Sequence, residues 1–425
     1  MNAFEKVIGY ETIKNELLQI CDMIHNREVY ENLGARLPQG ILLYGDPGLG
    51  KTLMVKCFIE ESRLKAYTVR RNKGNDDFIG LITDTFKKAK DNAPSIVFLD
   101  DMDKFANEDD RHRDAEEYVA VQSGIDEIKG SDVFVVATAN EARKLPQSLL
   151  RAGRFDRKIN VQCPTAEDAV RIIEYYLSDK KVSKDINMED LSKMISYSSC
   201  AELETILNEA AVSAASARKD SIGMDDLVRS VLRSQYDSPD NLTKTSAEDR
   251  KKTALHEAGH LVVCESILPE SVGFASIRSS GRDSTGGFIH RCKDLARSYD
   301  HVLILLAGKA AVELYYADQF AEGCAQDIHR AIQTIKIDIT NSAAFGFGLL
   351  DTKISYEDSL SENLNSRSEA VTLAELEKCM MKTRDILVKN REFLELAAKE
   401  LEKKETLLFS DIQRIKSKVK VKKAA

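Results

Sequence analysis

Short runs of apolar and β-branched residues alternate with helix-like segments along the first third of the chain. Most of these runs lack the polar alternation of a half-exposed strand, which is typical of parallel strands buried on both faces. The runs are Ile41–Tyr44, Ala66–Val69, Ser95–Asp100, Val133–Thr138 and Lys158–Gln162. Strand–helix alternation predicts an α/β domain over residues 1–163, with a parallel five-stranded sheet covered by helices on both faces.

The strand pattern stops near residue 164. Helical periodicity then extends to about Gln235 and predicts a small helical domain over 164–237. The polar stretch Tyr236–Asp249 is predicted to be a linker. Residues 238–425 are again mainly helical, with a β-like interruption at Val272–Arg291 where glycines flank the strand candidates.

Composition narrows the class of protein. The chain has 425 residues, 43% of them hydrophobic and 31% charged, so several globular domains are expected. Its net charge of −8 argues against nucleic acid as the main partner. Eight scattered cysteines without a CxxC pair are typical of reduced thiols. The lysine-rich end, Lys416–Ala425, is predicted to be a short solvated tail, with a patch that binds membrane or RNA as the alternative.

No signal peptide or transmembrane segment is apparent in the sequence. The longest apolar stretch, His301–Ala317, contains Lys309 and Glu313 and is too short to cross a bilayer. We therefore expect a cytoplasmic protein.

The segment GDPGLGKT follows a predicted buried strand and precedes a predicted helix. It fits GxxxxGK[ST], in which backbone N–H groups and a helix N-terminus surround phosphates. Lys51 is expected to reach the β- and γ-phosphates of ATP, and Thr52 to hold Mg²⁺. The other loop residues in this prediction are Asp46, Pro47, Gly48, Leu49 and Gly50. A glycine-rich structural turn is the alternative, and the strand–helix context argues against it.

Two aspartates follow the apolar run Ser95–Leu99. Asp100 is expected to hold the magnesium ion through water, and Asp101 to orient the attacking water. Such a pair could instead cap the next helix. The nearby phosphate loop favours the catalytic interpretation.

The stretch TALHEAGHLVVCE contains two histidines at helical spacing. His256 and His260 share one helix face, so both could bind one zinc ion. Glu257 could act as general base on water bound to that ion. The alternative is an ordinary core helix with surface histidines. Gly259 is unfavourable within a helix, which indicates that another backbone approaches closely.

A catalytic zinc needs a third protein ligand and an open position. The downstream candidates are His290, Asp294, His301, Asp318, Asp327 and His329. Asp327 and His329 lie two residues apart on a predicted helix whose buried stripe is Ile328, Ile332, Ile335 and Ile339. They point to different sides of that helix, so we expect only one of them to serve.

From about Phe4 to Ile415 the chain resembles the FtsH family of ATP-dependent zinc metalloproteases. The motifs that resemble it, in the family's order, are FEKVIG, GDPGLGKTL, LLRAGRFDR, ILNEAA, HEAGH, LAGKAAVEL, GCAQDIHRA and KETL. The resemblance implies an AAA+ module with a helical lid, followed by a mainly α-helical zinc metallopeptidase domain. It also implies a homo-oligomeric ring, a hexamer, that uses ATP, Mg²⁺ and Zn²⁺ to degrade unfolded or unfoldable proteins.

The resemblance also assigns residue roles. It makes Asn140 the sensor of the γ-phosphate, Arg151 and Arg154 the arginine fingers acting on a neighbouring subunit, and Asp327 the third zinc ligand. GGFIH, at Gly286–His290, resembles an edge strand to which a peptide could add. The residues it adds to the nucleotide pocket are Val7, Ile8, Gly9 and Leu53.

The chain departs from the family pattern at four places. Family members usually begin with membrane-spanning helices, whereas this chain starts at the adenine-pocket segment, so we expect either a natural form without them or a part of a longer protein. Asp101 replaces the usual glutamate, which predicts slow ATP turnover. The pore loop at Arg70–Gly80 is shortened, and Phe78–Gly80 either replaces its aromatic grip or starts the next helix. Tyr176 stands where a histidine is common.

The leading hypothesis is therefore a soluble, ring-forming, ATP-dependent zinc endopeptidase. One alternative is an AAA+ protein-remodelling ATPase with weak proteolysis. The other is a nucleotide-gated peptidase that accepts unfolded chains without pulling on them.

Overall fold

The computed structural model describes most of the chain. The described ranges are 2–71, 77–106, 116–238, 246–281, 286–316, 322–342, 344–345 and 362–424. The chain divides into two compact units, Met1–Asp179 with Tyr197–Leu207, and Lys180–Ser196 with Asn208–Ala425. We call them the first and second units.

The first unit is built on one sheet. Its strands are β1 (Gly40–Tyr44), β2 (Lys65–Arg70), β3 (Ser95–Asp100), β4 (Val133–Ala139) and β5 (Arg157–Asn160). All pairs are parallel and the strand order is β2-β3-β4-β1-β5. This confirms the predicted five-stranded parallel sheet. Because the carboxyl ends of parallel strands share one edge, the residues that follow β1, β3 and β4 come together there.

Helices cover both faces of this sheet. They are α1 (Glu11–His25) and α3 (Lys51–Ser62) on one face and α4 (Phe78–Asp91) and α5 (Glu116–Glu127) on the other. The first unit also contains α2 (Arg27–Glu31) and α6 (Ala166–Leu177). Successive residues of β1 enter opposite cores, with Leu42 in one and Ile41 and Leu43 in the other. The absence of polar alternation in the sequence therefore reflects burial on both faces.

Helix α4 begins at Phe78. Asp77 caps it by accepting a hydrogen bond from the Gly80 N–H at 2.8 Å. Phe78 is buried and packs edge-on against Phe105, with ring centroids 5.2 Å apart. Of the two alternatives for Phe78, the structure therefore shows the start of a helix. The rest of the shortened loop, residues 72–76, lies outside the described residues.

The region after residue 164 is helical, as predicted. Helix α7 (Met188–Met194) and helix α9 (Met224–Tyr236) belong to the second unit, and helix α8 (Cys200–Ser216) begins in the first unit and ends in the second. The domain boundaries predicted from sequence, at 164 and 238, stay a prediction.

The second unit is mainly helical around a small sheet. Its further helices are α10 (Ala247–Ile267), α11 (Ser298–Tyr316), α12 (Ala325–Ser342), α13 (Glu362–Lys389), α14 (Arg391–Lys404) and α15 (Phe409–Lys416). Its strands are β6 (Val272–Ser276), β7 (Phe288–Arg291) and β8 (Thr406–Leu408), in the antiparallel order β7-β6-β8. Among the strands that the structure describes, β7 therefore lies at an edge of this sheet. None of the described helices combines the length and apolar character needed to span a bilayer.

Helices α10 and α11 pack closely through a glycine. A Cβ atom at Gly259 would lie 2.5 Å from the carbonyl oxygen of Ala307 and 2.6 Å from the Cβ of Ala311. The expected close backbone approach is thus confirmed. This contact fixes the helix that carries both histidines against the central helix of the second unit.

The basic tail does not extend into solvent, so that prediction was wrong for its backbone. Val419, Val421 and Ala424 pack against the core of the second unit. The Ala424 N–H donates to the Ser266 carbonyl at 2.9 Å, and the Lys422 N–H donates to the Asn390 side chain at 2.7 Å. Only the intervening lysine side chains point outward.

One buried carboxylate ties three segments of the second unit together. The side chain of Glu265, which is 0% exposed, accepts hydrogen bonds from the backbone N–H groups of Glu270, Ser271 and Val272 and pairs with Lys416 at 2.5 Å. It therefore joins the end of α10 to the start of β6 and to α15.

We expect Glu265→Ala to lower the free energy of unfolding of the second unit by roughly 3–5 kcal/mol, because it leaves a buried ammonium and three N–H groups unpaired. The chain has no tryptophan, so urea unfolding is best followed by far-ultraviolet circular dichroism. Asp385→Ala removes only an exposed ion pair with Lys389 and should change the value by less than about 0.5 kcal/mol. Equal stability of the two variants would contradict the assignment.

Candidate functional site

Two helices bring three metal-binding side chains to one point. His256 and His260 lie one turn apart on α10, and Asp327 lies in the first turn of α12. The two histidine Nε2 atoms are 3.0 Å apart, and they lie 3.2 and 3.3 Å from the Asp327 Oδ2 atom. All three side chains are largely buried. Among the described residues, this is the group of His, Cys, Asp and Glu side chains that could hold a metal ion.

The spacing of these atoms fits a tetrahedral zinc ion. Ligand atoms about 2.0–2.1 Å from zinc at tetrahedral angles are separated by roughly 3.3 Å, which the observed triangle approaches on all three sides. Two imidazole nitrogens and one carboxylate oxygen are also the donor types that zinc accepts. A cation between the nitrogens would replace the repulsion of their lone pairs with shared attraction. The residues present therefore fit zinc.

Neighbouring groups set the orientation of both rings. The Nδ1 atom of His260 lies 2.7 Å from the Ile304 carbonyl oxygen, so it donates its proton there and leaves Nε2 free for a metal. The Nδ1 atom of His256 lies 3.7 Å from the buried thiol of Cys324. A Cβ atom at Gly308 would lie within 2.3 Å of the His256 ring, so only glycine leaves room for that ring.

Charge and burial shift the pKa values of this cluster in opposite directions. Burial lowers the pKa of His256. Burial also acts to lower the pKa of His260, but the hydrogen bond and negative charge of Asp327 outweigh it and raise that pKa to about 9. Burial raises the pKa of Asp327 less than the two imidazoles lower it, so its pKa falls well below the usual range. The carboxylate is thus held ionised beside the histidines.

Glu257 lines the same cavity as the three candidate ligands. This cavity measures about 280 Å³ and opens beside the edge strand β7. Burial raises the pKa of Glu257 to about 8. A Cβ atom at Gly287 would lie 2.6 Å from the Glu257 Oε1 atom, so the glycine just before β7 makes room for this carboxyl group. A carboxyl group of this kind can exchange a proton with a metal-bound water at neutral pH.

None of the other candidate ligands that the structure describes belongs to this group of three. His290 is held between the Ser196 hydroxyl at 2.9 Å and the Tyr236 hydroxyl at 2.7 Å, and burial lowers its pKa to about 4. His329 is exposed and contacts Gln333, as expected from its position two residues after Asp327. His301 lines the cavity, and Asp294 is exposed. Asp318 lies outside the described residues.

Helix α12 only partly follows its predicted stripe. Ile335 and Ile339 are buried, as expected, together with Ala331. Ile328 and Ile332 are half-buried.

The phosphate loop lies between β1 and α3 at the carboxyl edge of the sheet. Gly48 and Gly50 have φ angles of 80° and 83°, a left-handed conformation that glycine adopts without strain. The Lys51 ammonium donates to the Gly45 carbonyl at 2.6 Å and to the Asn140 side chain at 2.9 Å. Burial lowers the pKa of Lys51. Lys51 and Asn140 are therefore close enough to contact the same phosphate.

The predicted magnesium ligands meet beside this loop. The hydroxyls of Thr52 and Thr138 both donate to the buried Asp100 Oδ1 atom, at 3.0 and 2.9 Å. Asp101 follows in a left-handed conformation with a φ angle of 55°. Its carboxylate pairs with Lys104 at 2.6 Å. The Asp101 side chain thus contacts Lys104, in the short helical turn that follows it.

A second cavity of about 300 Å³ adjoins the loop within the first unit. The residues from the sequence prediction that line it are Val7, Ile8, Gly48, Leu49, Gly50 and Leu53. Tyr175 and Tyr176 also line it, and the Tyr176 hydroxyl donates to Glu204 at 3.3 Å. Gly9 adopts a φ angle of 73° against Asp168, which leaves no room for a Cβ atom. The cavity has the apolar, aromatic character that a purine ring requires.

The two candidate arginine fingers differ in their surroundings. Arg154 pairs with Asp126 at 2.8 Å and donates to the Ser148 carbonyl. Arg151 is exposed and forms no ion pair with any described residue. Of the two, Arg151 is the one whose charge is available to another molecule.

Several residues that line the cavity beside the histidines were not predicted from the sequence. Tyr236, which was assigned to a linker, ends α9 and stacks on Phe288 with ring centroids 4.1 Å apart. Arg291 and Arg330 also line the cavity beside the histidines. The only local signal was the Gly286–Gly287 pair, which marked a close approach without naming the partner.

Comparisons with known proteins agree with this arrangement. The model of the ATPase family associated with various cellular activities (AAA) matches residues 41–163, and the model of peptidase family M41 matches residues 241–415. The ATP-dependent zinc metalloprotease FtsH 2 of Sphaerobacter thermophilus is 30% identical over 95% of this chain and 65% of its own length. An ATP-dependent zinc metalloprotease FtsH of Streptobacillus moniliformis is 30% identical over 97% and 64%, and one of Thermus thermophilus is 29% identical over 97% and 70%. The chain thus spans just under two thirds of the first two relatives.

Proposed function

Because the chain belongs to the FtsH family of ATP-dependent zinc metalloproteases, with an AAA module followed by an M41 peptidase module, we propose that it is an ATP-dependent zinc metalloendopeptidase that unfolds and degrades proteins. The observation that supports this most directly is the triangle of His256, His260 and Asp327, beside which Glu257 lines the same cavity.

In the peptidase reaction, His256, His260 and Asp327 would hold the zinc ion. A zinc ion held there would lower the pKa of a water molecule to about 7 and polarise the peptide carbonyl. Glu257 would accept a proton from water and deliver it to the leaving amine. Burial raises the pKa of Glu257, and the positive charge of a zinc ion beside it would act in the opposite direction and favour the carboxylate that accepts a proton.

The edge strand β7 would position the substrate. An extended peptide can add to the free edge of a sheet through main-chain hydrogen bonds, which do not depend on side-chain identity. Strand β7 lies beside the cavity that contains the zinc ligands. Only an unfolded segment can bind in this way, so folded substrates must first be opened.

The AAA module would supply that opening. Lys51 and Asn140 would contact the γ-phosphate, Thr52 and Asp100 would hold Mg²⁺, and Asp101 would orient the attacking water. Exposed Arg151 would reach the nucleotide of a neighbouring subunit, which requires a ring, and we propose a homo-hexamer. The eight unpaired cysteines support a cytoplasmic, reducing location.

A nucleotide-gated peptidase is a second candidate because of Phe78. This residue packs into the core of the first unit at the start of α4. It therefore does not offer an aromatic side chain for gripping a translocating polypeptide.

We expect Asp101→Glu to raise the rate of ATP hydrolysis, by up to ~100-fold, because one added methylene extends the carboxylate beyond its pairing with Lys104. Asp101→Asn, which removes the charge, should lower the rate further. The rate of ATP hydrolysis is measured as steady-state phosphate release for the unmodified protein and for both variants. A rate that Asp101→Glu leaves unchanged would show that Asp101 does not limit turnover.

Degradation of an unstructured protein such as casein tests the proposed function. The zinc-loaded protein is assayed with ATP, with ADP and without nucleotide, after its oligomeric state is measured by light scattering. Cleavage that requires ATP supports the coupled protease. Cleavage that needs bound but not hydrolysed nucleotide supports the gated peptidase, and ATP turnover without any cleavage would refute both.

A further inference from the structure

The cavity beside the zinc ligands has a basic wall that the proposed peptide hydrolysis does not use. Arg291 from β7, His301 from α11 and Arg330 from α12 line it. The carboxylates among the described lining residues are Glu257 and Asp327, and both already have roles at the metal. The basic wall thus comes from three elements and faces the same space as the reacting groups.

The three basic side chains lie near one another. Burial lowers the pKa of His301, and the positive charges of Arg291 and Arg330 lower it further. The charges of both guanidinium groups therefore act on the imidazole, in agreement with the position of all three residues around one cavity. All three side chains line the same cavity, and their ring and guanidinium nitrogens can donate hydrogen bonds to the oxygens of a bound ligand.

The basic wall lies at a defined distance along the substrate-binding edge. Glu257 packs against Gly287, at the start of the edge strand, and Arg291 is its last residue. At about 3.3 Å per residue, Arg291 lies roughly 13 Å along the strand from Gly287. On α12, Arg330 follows Asp327 by three residues and so lies on the same face, one turn away. A peptide along β7 therefore reaches the basic wall a few residues from its scissile bond.

We propose that Arg291, His301 and Arg330 form a subsite that binds a carboxylate of the substrate, about two to four residues from the scissile bond. This inference rests on the proposed peptidase function and adds a preference to it. Guanidinium groups bind carboxylates through paired hydrogen bonds, and a concave wall strengthens them relative to an exposed surface. The carboxylate comes either from an Asp or Glu side chain or from the C-terminus of the polypeptide.

Binding is tested first, without cleavage. The zinc-loaded Glu257→Gln variant is titrated with fluorescently labelled peptides that differ only in Glu or Gln at one position, and affinity is read from fluorescence anisotropy. We expect the Glu peptide to bind about 5- to 20-fold more tightly at its best position. Peptides ending in a free carboxylate or an amide distinguish a C-terminal carboxylate from a side chain. Equal affinity within both pairs of peptides would overturn the subsite.

Substitutions test whether the basic wall causes the preference for the Glu peptide over the Gln peptide. Arg291→Gln and Arg330→Gln, each added to the binding variant, should reduce the preference for Glu to less than about twofold. Arg291→Glu should favour a Lys peptide over its Gln counterpart, which also shows that the altered protein is folded. Lys293→Gln is the matched control, because Lys293 follows β7 but does not line the cavity and pairs with exposed Glu270. A preference that survives the arginine substitutions would overturn the assignment.

Cleavage separates this inference from the proposed function. In the otherwise unmodified zinc-loaded protein, the Glu peptide should show a higher kcat/KM than the Gln peptide, mainly through a lower KM. If both peptides are cleaved with equal kcat/KM, the subsite is wrong although the peptidase function stands. If neither is cleaved while the affinity difference persists, the peptidase function fails and the carboxylate subsite remains.

Discussion

Glu257→Gln should lower peptide cleavage by about 10³-fold or more while the protein still binds zinc. General acid–base groups contribute roughly 10²–10⁴-fold to catalysis, and a proton-accepting carboxylate in a buried cavity has few substitutes. Glutamine has the same shape as glutamate and fits beside Gly287, so the cavity should stay intact. The measurement is the cleavage rate of an unstructured peptide at saturating zinc.

Three further measurements make this result specific to proton transfer. Zinc content by elemental analysis should equal that of the unmodified protein, because Glu257 is not among the three candidate ligands. The rate of ATP hydrolysis should also stay within about twofold, since the nucleotide site lies in the first unit. Glu248→Gln, an exposed change on the same helix, is the matched control. Retained cleavage in Glu257→Gln would remove this residue from the mechanism.

Asp327→Ala separates metal binding from this step. It removes one of three candidate ligands and should lower zinc affinity by at least ~10-fold, as competition with a chelating dye would measure. Unchanged zinc affinity would show that Asp327 does not contact the metal.

The sheet could be predicted because its signal is local. Every central strand is buried on both faces, so each forms an uninterrupted apolar run in the sequence. Strand β8 gave no such signal, since it has three residues and pairs with β6 across about 130 positions. The same holds for Glu265, whose partner Lys416 is distant in sequence. Pairings of this length depend on the packed fold and leave no periodic trace.

One prediction was wrong and another was left open, and in both cases a local signal was given too little weight. In the basic tail, valine alternates with lysine at Lys418–Val421, which is the period of a half-buried extended segment. The number of lysines led to the prediction of a solvated tail. At Phe78, the preceding Asp77 is a typical N-cap residue, and it marks the start of α4.

The candidate metal site was only partly accessible from sequence. Helical spacing placed His256 and His260 on one face, because that relation spans four residues. Their partner Asp327 lies 71 residues from His256, and the residues alone left several candidates open. Family resemblance selected it, and the structure brings it to the histidines. The basic wall was missed because Arg291, His301 and Arg330 come from three separate elements.

Lys51→Ala should reduce ATP hydrolysis by at least ~100-fold and abolish degradation of a folded protein, while a short unstructured peptide is still cleaved. Lys51 carries the ammonium that would contact the γ-phosphate, and its loss removes charge stabilisation from the transferring phosphoryl group. The zinc ligands lie in the second unit, so the peptidase chemistry itself should remain. Lys56→Ala, an exposed change on the same helix α3, is the control and should leave ATP turnover and degradation within about twofold.

The pattern across three substrates identifies how the two modules work together. In the coupled protease, Lys51→Ala no longer degrades the folded substrate but still cleaves the short peptide. It degrades casein more slowly, because threading requires ATP hydrolysis. In a gated peptidase, Lys51→Ala cleaves casein and the short peptide at similar rates. Neither this variant nor the unmodified protein degrades the folded substrate. Degradation of a folded protein by Lys51→Ala at the unmodified rate would show that proteolysis does not depend on ATP hydrolysis.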